Sequence, residues 1–409
     1  MAADAFSLDT KYPVLIFKQG RSRISHGALG IARTLGRLGV PVYAIVEDNY
    51  TPLASSRYIT KTFHWKSWPS DAEKFLLAMS AISGVIGHRA ILVPMDDLSS
   101  IAVAENSAVL KQWFLFPQLP SNLPRQLADK ASFFSLCSKI GTPCARTIAP
   151  RSVDQIREFM EYTEFPMVLK AAQQWRLPND DYYNPKVVHN REALFDIFER
   201  TQRGAGLPIV LQEYIAGEDW IYNGYCNREM NLYLNFTGRK LRDFPVGGGS
   251  TALGLSLPNE ELCYQSEMLL RAVSYSGVCD MDWRRDKRNG QYKILDFNPR
   301  VGLNFQMFEN SAAIDVVRAL HLDLTGRKVD CAPMIEGRLL TVEPLYFRSS
   351  VRRRQIPLTA EKRSLAVTRR LAWWSNDDPL PFFVMSIRLL LQAILRRLPT
   401  KLFREKICT

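Results

Sequence analysis

The sequence predicts an α/β segment at the N-terminus followed by an α+β body. Three observations carry that expectation. A short apolar run, a glycine-bearing turn, a stretch at helical period and a second apolar run follow one another between Pro13 and Val46, which is a βαβ pattern. A proline-rich break, FPQLPSNLPRQLADK, interrupts the chain at Phe116–Lys130. Late in the chain, VCDMDWRR and QYKILDFN flank DKRNG, two strands around a turn.

The elements follow in order. PVLIF (Pro13–Phe17) suits a buried parallel strand, GALGIARTLGRLG (Gly27–Gly39) a helix closed by glycine, and VPVYAIV (Val40–Val46) the next strand. Asp71–Ile82 and Leu98–Leu110 read as helices around a strand at Ala90–Pro94. The loop KQGRSRISHG lacks the G-x-G-x-x-G register of a dinucleotide site. Ser22, Arg23 and His26 remain candidates for a substrate loop there. Beyond a boundary near Leu123 come a helix in RQLADKASFFSLCSKIG, a strand FPMVLK ending on Lys170, and a polar, turn-rich stretch AAQQWRLPNDDYYNPK. Then follow PIVLQEYIAGEDW, a glycine run in FPVGGGSTALGL, and a helix in NEELCYQSEMLLRAVSYSG.

Composition narrows the class. The 409 residues imply two or three domains, and 46% hydrophobic with 23% charged residues is ordinary for a globular chain. The net charge of +12 is concentrated: residues 346–409 hold 14 Lys/Arg against 4 Asp/Glu, leaving the body near neutral. Seven cysteines without a C-x-x-C pair and five scattered histidines argue against zinc and disulfides. That usage, with no apolar leader in MAADAFSLDTKYP, points to the cytoplasm.

The late hairpin carries the chemistry. With its turn near Asn289, Asp282 faces Asp296 and Asp280 faces Asn298, while Met281, Trp283, Leu295 and Phe297 share the opposite, apolar face. Like charges opposite one another repel, and a bound cation reverses that sign. Oxygen donors and substrate phosphates suit magnesium. Asp282, Asp296 and Asn298 are therefore the candidate metal ligands, and Arg300 beside them would face the anion the metal holds.

At this point the residues resemble a family. ILDFNPRVG looks like the metal-binding strand of the ATP-grasp superfamily, LADK (Lys130) and PMVLKA (Lys170) resemble its two nucleotide lysines, and LQEYIAGEDW resembles its adenine hinge. The resemblance covers roughly Leu123 to Val329. Similarity to the carboxylate–amine ligase branch extends to the N-terminal α/β segment.

It implies a preATP-grasp, Rossmann-like domain at 1–123, a small lobe at 124–207, a large lobe with the metal site at 208–330, and a basic helical tail at 331–409. It further implies ATP with magnesium or manganese as cofactors, small carboxylate and amine substrates, and an acyl-phosphate intermediate. Lys130, Lys170, Gln212, Glu213, Tyr214, Ile215 and Asp219 would hold the nucleotide, with Glu218 competing for the ribose. Lys170 and Arg300 would act in catalysis. The alternatives are a carboxyphosphate-type carboxylase and a non-catalytic nucleotide-binding adaptor at a membrane surface.

One departure stands out. The loop after Lys170 contains no glycine, where the family places a glycine-rich phosphate cover. It reads as an enlarged lid bearing Trp175, Arg176 and Lys186, or GGGST with Arg239, Lys240 and Arg242 substitutes for it. In the tail, Pro379 and Pro381 suit a helix start, and the apolar run at Phe382–Leu398 is interrupted by Arg388 and closed by Arg396 and Arg397. That is short for a span. It suits an interfacial helix with Trp373 and Trp374 near headgroups, or a helix packed on the protein itself or on a dimer partner. Its aromatics cluster apart from the basic residues, which points away from nucleic acid.

Overall fold

The computed structural model describes residues 6–20, 25–65, 71–176, 186–203, 208–352 and 368–395. Ser22, Arg23, Arg396 and Arg397 lie outside the described residues.

The first layer is a parallel sheet of order β3-β2-β1-β4-β5. Its strands are β1 (Val14–Phe17), β2 (Val42–Val46), β3 (Ile59–His64), β4 (Ala90–Pro94) and β5 (Phe114–Leu115). The helices are α1 (His26–Gly36), α2 (Ala72–Ile86), α3 (Asp97–Glu105) and α4 (Ser107–Leu110). Every residue of β1 is buried, as expected where helices cover both faces of a parallel sheet. β3 escaped the sequence reading because it is a half-exposed edge strand with the pattern ITKTFH, and β5 because it is two residues long.

The second layer is a four-stranded sheet of order β6-β9-β7-β8. It is entered through α5 (Leu123–Ala128) and α6 (Lys130–Ile140). The sheet holds β6 (Thr147–Ile148), β7 (Met167–Ala171), β8 (Lys186–Val188) and β9 (Ile209–Glu213), with α7 (Val153–Glu161) and α8 (Arg191–Arg203) against it. β9 pairs antiparallel with β7, so the chain leaves this layer after Glu213 rather than at residue 207.

The third layer is a seven-stranded sheet of order β14-β13-β10-β11-β12-β15-β16. It comprises β10 (Gly217–Cys226), β11 (Tyr233–Phe244), β12 (Ser250–Ser256), β13 (Gly277–Asp286), β14 (Tyr292–Asn298), β15 (Arg338–Thr341) and β16 (Thr368–Leu371). Its helices are α9 (Glu260–Ala272), α10 (Val316–Leu324) and α11 (Glu343–Arg352), followed by α12 (Leu380–Leu395). β15 and β16 come from the stretch read as a tail. β15 joins β12 antiparallel and β16 joins β15 in parallel, so that stretch is partly structural.

The hairpin register matches expectation at its business end: Asp282 pairs with Asp296 and Asp280 with Asn298. One side chain departs. A bulge shifts the ladder so that Trp283 pairs with Ile294. The inserted residue, Leu295, therefore lines a cleft instead of the core. Ile294 takes its place beside Trp283, Met281, Phe297 and Tyr275, all buried. Rings close that core edge-on, Tyr275 to Phe297 with centroids at 5.3 Å.

Candidate active site

The polar face of the hairpin floors a cleft of about 280 Å³ between the second and third layers. Alternate residues of β13 place Asp280, Asp282 and Arg284 on that face, and β14 adds Asp296 and Asn298. Gly302 leaves room for this arrangement, since a Cβ there would collide with the Asp280 carboxylate. Burial and the neighbouring Asp282 push the Asp280 carboxyl up to about 7.

Cations answer each remaining carboxylate. The Asp129 carboxylate accepts from the Ser132 N–H and so caps α6, placing Lys130 at the first helical position. Lys130 Nζ reaches Asp296 at 2.7 Å. Burial alone would raise the Asp296 carboxyl, but Lys130, with Lys170 and Arg300 behind it, holds it below the usual range. Lys170, from β7, donates to Gln212 Oε1 at 2.8 Å. Burial first and Lys130 second push the Lys170 ammonium down to about 7. Lys240, from β11, meets Asp282 at 2.7 Å. Arg300 donates to Asn298 Oδ1 at 2.9 Å and lies 3.3 Å from Asp97, at the start of α3. The N-terminal layer thus braces this arginine.

The hinge residues separate into groups. Glu213, Ile215 and Asp219 line the cleft together with Gln212. Gln212 has a protein partner on each amide atom: its Oε1 accepts from Lys170 and its Nε2 donates to Thr147. It holds the lysine while itself lining the cleft. The Glu213 N–H donates to the Arg146 carbonyl, and the Ile215 carbonyl accepts from Arg284. Tyr214 does not line the cleft but has the Arg284 guanidinium 6.0 Å above its ring. Glu218 turns outward to Arg239 at 2.5 Å, leaving Asp219 as the inward carboxylate.

Arg284 also lines the cleft and was not singled out from the sequence. It binds Asp219 at 2.6 Å and stands opposite it in the β10–β13 ladder. The alternation of Asp280, Asp282 and Arg284 was the available signal.

Residues 177–185 of the first lid lie outside the described residues. Trp175, Arg176 and Lys186 do not line the cleft, although Gln174 does. Gly247–Gly249 do line it, but Asp243 already accepts from the N–H groups of Gly247 and Gly248, at 2.6 and 2.8 Å. Lys240 enters while Arg242 does not, because the ladder slips between them. Arg242 donates instead to Ser350 and stacks over Tyr346 at 5.0 Å. At the far corner stand His26, Leu303, Asn304 and Thr251. Burial pushes the His26 imidazole down to about 4, with Asn304 opposing.

Among the described residues no three carboxylate, histidine or cysteine side chains gather as a ready metal cage. The donor set still suits a hard divalent ion that keeps phosphate oxygens, because Asp282, Asp296 and Asn298 offer oxygen alone. Burial and the Asp282 charge raise the Asp280 carboxyl, with Arg300 and Lys240 opposing.

The fold recurs in solved structures. The chain superposes on N5-carboxyaminoimidazole synthetase from Staphylococcus aureus, solved with ADP, at a TM-score of 0.60. Identity is 13%, with 81% of this chain and 82% of that one covered. The chain has the ATP-grasp fold. An L-amino acid ligase from Bacillus licheniformis shares this ATP-grasp fold at a TM-score of 0.58 and 13% identity, over 78% and 75% of the two chains. In sequence, a D-aspartate ligase from Enterococcus faecium is 23% identical over 224 residues, or 52% of this chain. The chain spans 53% of that ligase's length, about half. No family model matches the chain.

Proposed function

We propose that the protein is an ATP-dependent, ADP-forming ligase that joins a carboxylate to an amine through an acyl phosphate. The observation that carries this reading is the convergence of two lysines from the second layer on the hairpin of the third, with Lys130 at 2.7 Å from Asp296. Lysine and carboxylate on opposite walls suit a triphosphate with its metal between them. The similarity to a D-aspartate ligase and to an L-amino acid ligase supports the bond type.

In this reading the adenine edge meets the Glu213 carbonyl and the Ile215 N–H, the two backbone groups not occupied by Arg146 and Arg284. Leu295 offers the ring an apolar surface and Asp219 accepts from the ribose. Lys130 and Lys170 take phosphate oxygens, which favours the charged form of Lys170. Asp282, Asp296 and Asn298 would hold magnesium or manganese, which would neutralise charge on the transferred phosphoryl group. Arg300, braced by Asp97 and Asn298, binds the acyl phosphate. The amine then displaces phosphate, forming the C–N bond as the C–O bond breaks. The small-lobe boundary belongs after Glu213, where β9 ends.

Incubation with Mg·ATP and a panel of amino acids, D-aspartate included, is expected to release ADP only when a carboxylate is present. ATP binding without turnover across the panel contradicts the ligase reading. Gln212→Leu is expected to raise the KM for ATP about tenfold, the worth of one good hydrogen bond in positioning Lys170. An unchanged KM removes Gln212 from that role.

A second proposal concerns α12. No described helix is long and apolar enough to cross a membrane. Yet Leu380, Phe383, Ile387, Leu390 and Ile394 are exposed at alternating three- and four-residue spacing, with Leu391 beside them, a continuous stripe on one face. The sequence beyond the helix holds Arg396, Arg397, Lys401, Arg404 and Lys406 against Glu405. An apolar stripe with flanking cations suits peripheral contact with an anionic bilayer, whereas pairing two copies would bring like charges together. Vesicles containing phosphatidylglycerol are expected to carry the protein in flotation, and Ile387→Asp to abolish it. Equal flotation of the variant, or dimerisation lost with the same change, overturns the bilayer reading.

A further inference from the structure

Three guanidinium groups converge outside the cleft, near the C-terminal end of α1. Arg318 comes from α10, Arg338 from β15 and Arg370 from β16. All three approach the same oxygen of Glu309, at 3.9, 2.6 and 3.7 Å. Asp315 lies 3.7 Å from Arg318. Its oxygens, however, already cap α10 through two N–H groups and accept from Thr34. Arg37 is held by Asp377 at 2.8 Å and cannot share its counter-charge.

Buried charge is ordinarily matched by charge and by hydrogen bonds. Here the match is incomplete. The Nε atoms of Arg318 and Arg338 have no hydrogen-bond partner among the described residues, and Arg338 is only 4% exposed. Burial, then repulsion from Arg338, holds the Arg370 guanidinium below its usual range despite Glu309. The Arg370 side chain is 49% exposed, so the cluster opens to solvent on its side. Three planar N–H forks with one shared carboxylate fit a tetrahedral, multiply charged anion.

We propose that Arg318, Arg338 and Arg370 form a binding site for a phosphoryl group, separate from the nucleotide cleft. The 11 residues of α1 span about 16 Å, with His26 at the cleft end and Arg37 at the cluster end. Gln306 connects the two places. Its carbonyl accepts from Arg338 at 3.4 Å and its side chain donates to the His26 carbonyl at 3.0 Å. A phosphoryl group bound at the cluster is therefore one residue removed from the cleft wall.

The test uses the full chain in phosphate-free buffer with the cleft filled by Mg·ADP. Inorganic phosphate is titrated by calorimetry, and vesicles of phosphatidic acid are compared with phosphatidylcholine by flotation. Arg370→Gln, at the exposed position, is expected to weaken binding at least tenfold while circular dichroism stays unchanged. Lys130→Gln is expected to leave it as in the wild type. Sensitivity of phosphate binding to Arg370→Gln identifies a free phosphate or monoester as the ligand. Sensitivity confined to phosphatidic acid identifies a lipid headgroup, and either result upholds the site. Equal binding by wild type and Arg370→Gln, no binding of either probe, or a loss seen only with Lys130→Gln overturns it.

Discussion

Asp296→Asn is expected to lower carboxylate-dependent ADP release by on the order of 10³-fold, the scale of losing a charge placed against a developing anion. Asparagine keeps the size and one oxygen but not the charge. It weakens the metal site and leaves Lys130, with its side chain 9% exposed, without its carboxylate at 2.7 Å. A buried cation stripped of its partner also destabilises the fold, by about 1–3 kcal/mol. The two effects separate in the double variant with Lys130→Met, which recovers stability but not turnover. Wild-type ADP release by Asp296→Asn contradicts the metal assignment, and rescue of turnover by the second change contradicts the role given to Lys130.

Asp378→Ala is expected to cost about 3–5 kcal/mol of stability, the range for breaking a buried ion pair from one side. Asp378 accepts from Arg33 Nε at 3.0 Å, Ser56 Oγ at 2.7 Å and the Arg57 N–H at 2.9 Å. Both ends of the ion pair are almost fully buried, with side-chain exposures of 3% and 2%. Arg33 also donates to the Trp373 and Asp378 carbonyls, so its charge stays buried when the aspartate goes. Chemical unfolding measures the loss. A drop below about 1 kcal/mol means the pair is solvated in solution, and replacing both partners by apolar residues is expected to restore most of the stability.

Much of the candidate site was legible because strand chemistry is periodic. Asp280, Asp282, Asp296 and Asn298 could be paired from the turn sequence alone, and the ladder keeps that pairing. The bulge was not legible: nothing in KILDF distinguishes a ladder that takes one extra residue at Leu295 from one that does not. Gln212 reads as a nucleotide contact because its position relative to the hinge is right. Its bonding to Lys170 and Thr147 depends on β6, a two-residue strand with no sequence signature. The roles of β15 and β16 were hidden by composition, since Arg369 and Arg370 read as tail charge while their backbone extends a sheet. Fold class was the most legible level, because buried parallel strands are continuous apolar runs.

The clamp at Arg33 has a kinetic consequence. Its carboxylate partner is encoded 345 residues later, so at ordinary translation speeds of about 5–20 residues per second the helix bearing Arg33 waits roughly 20–70 s for it on the ribosome. The first sheet can be made early yet be closed only by a segment synthesised much later, and a nascent chain halted before Asp378 leaves that arginine to water or to a chaperone.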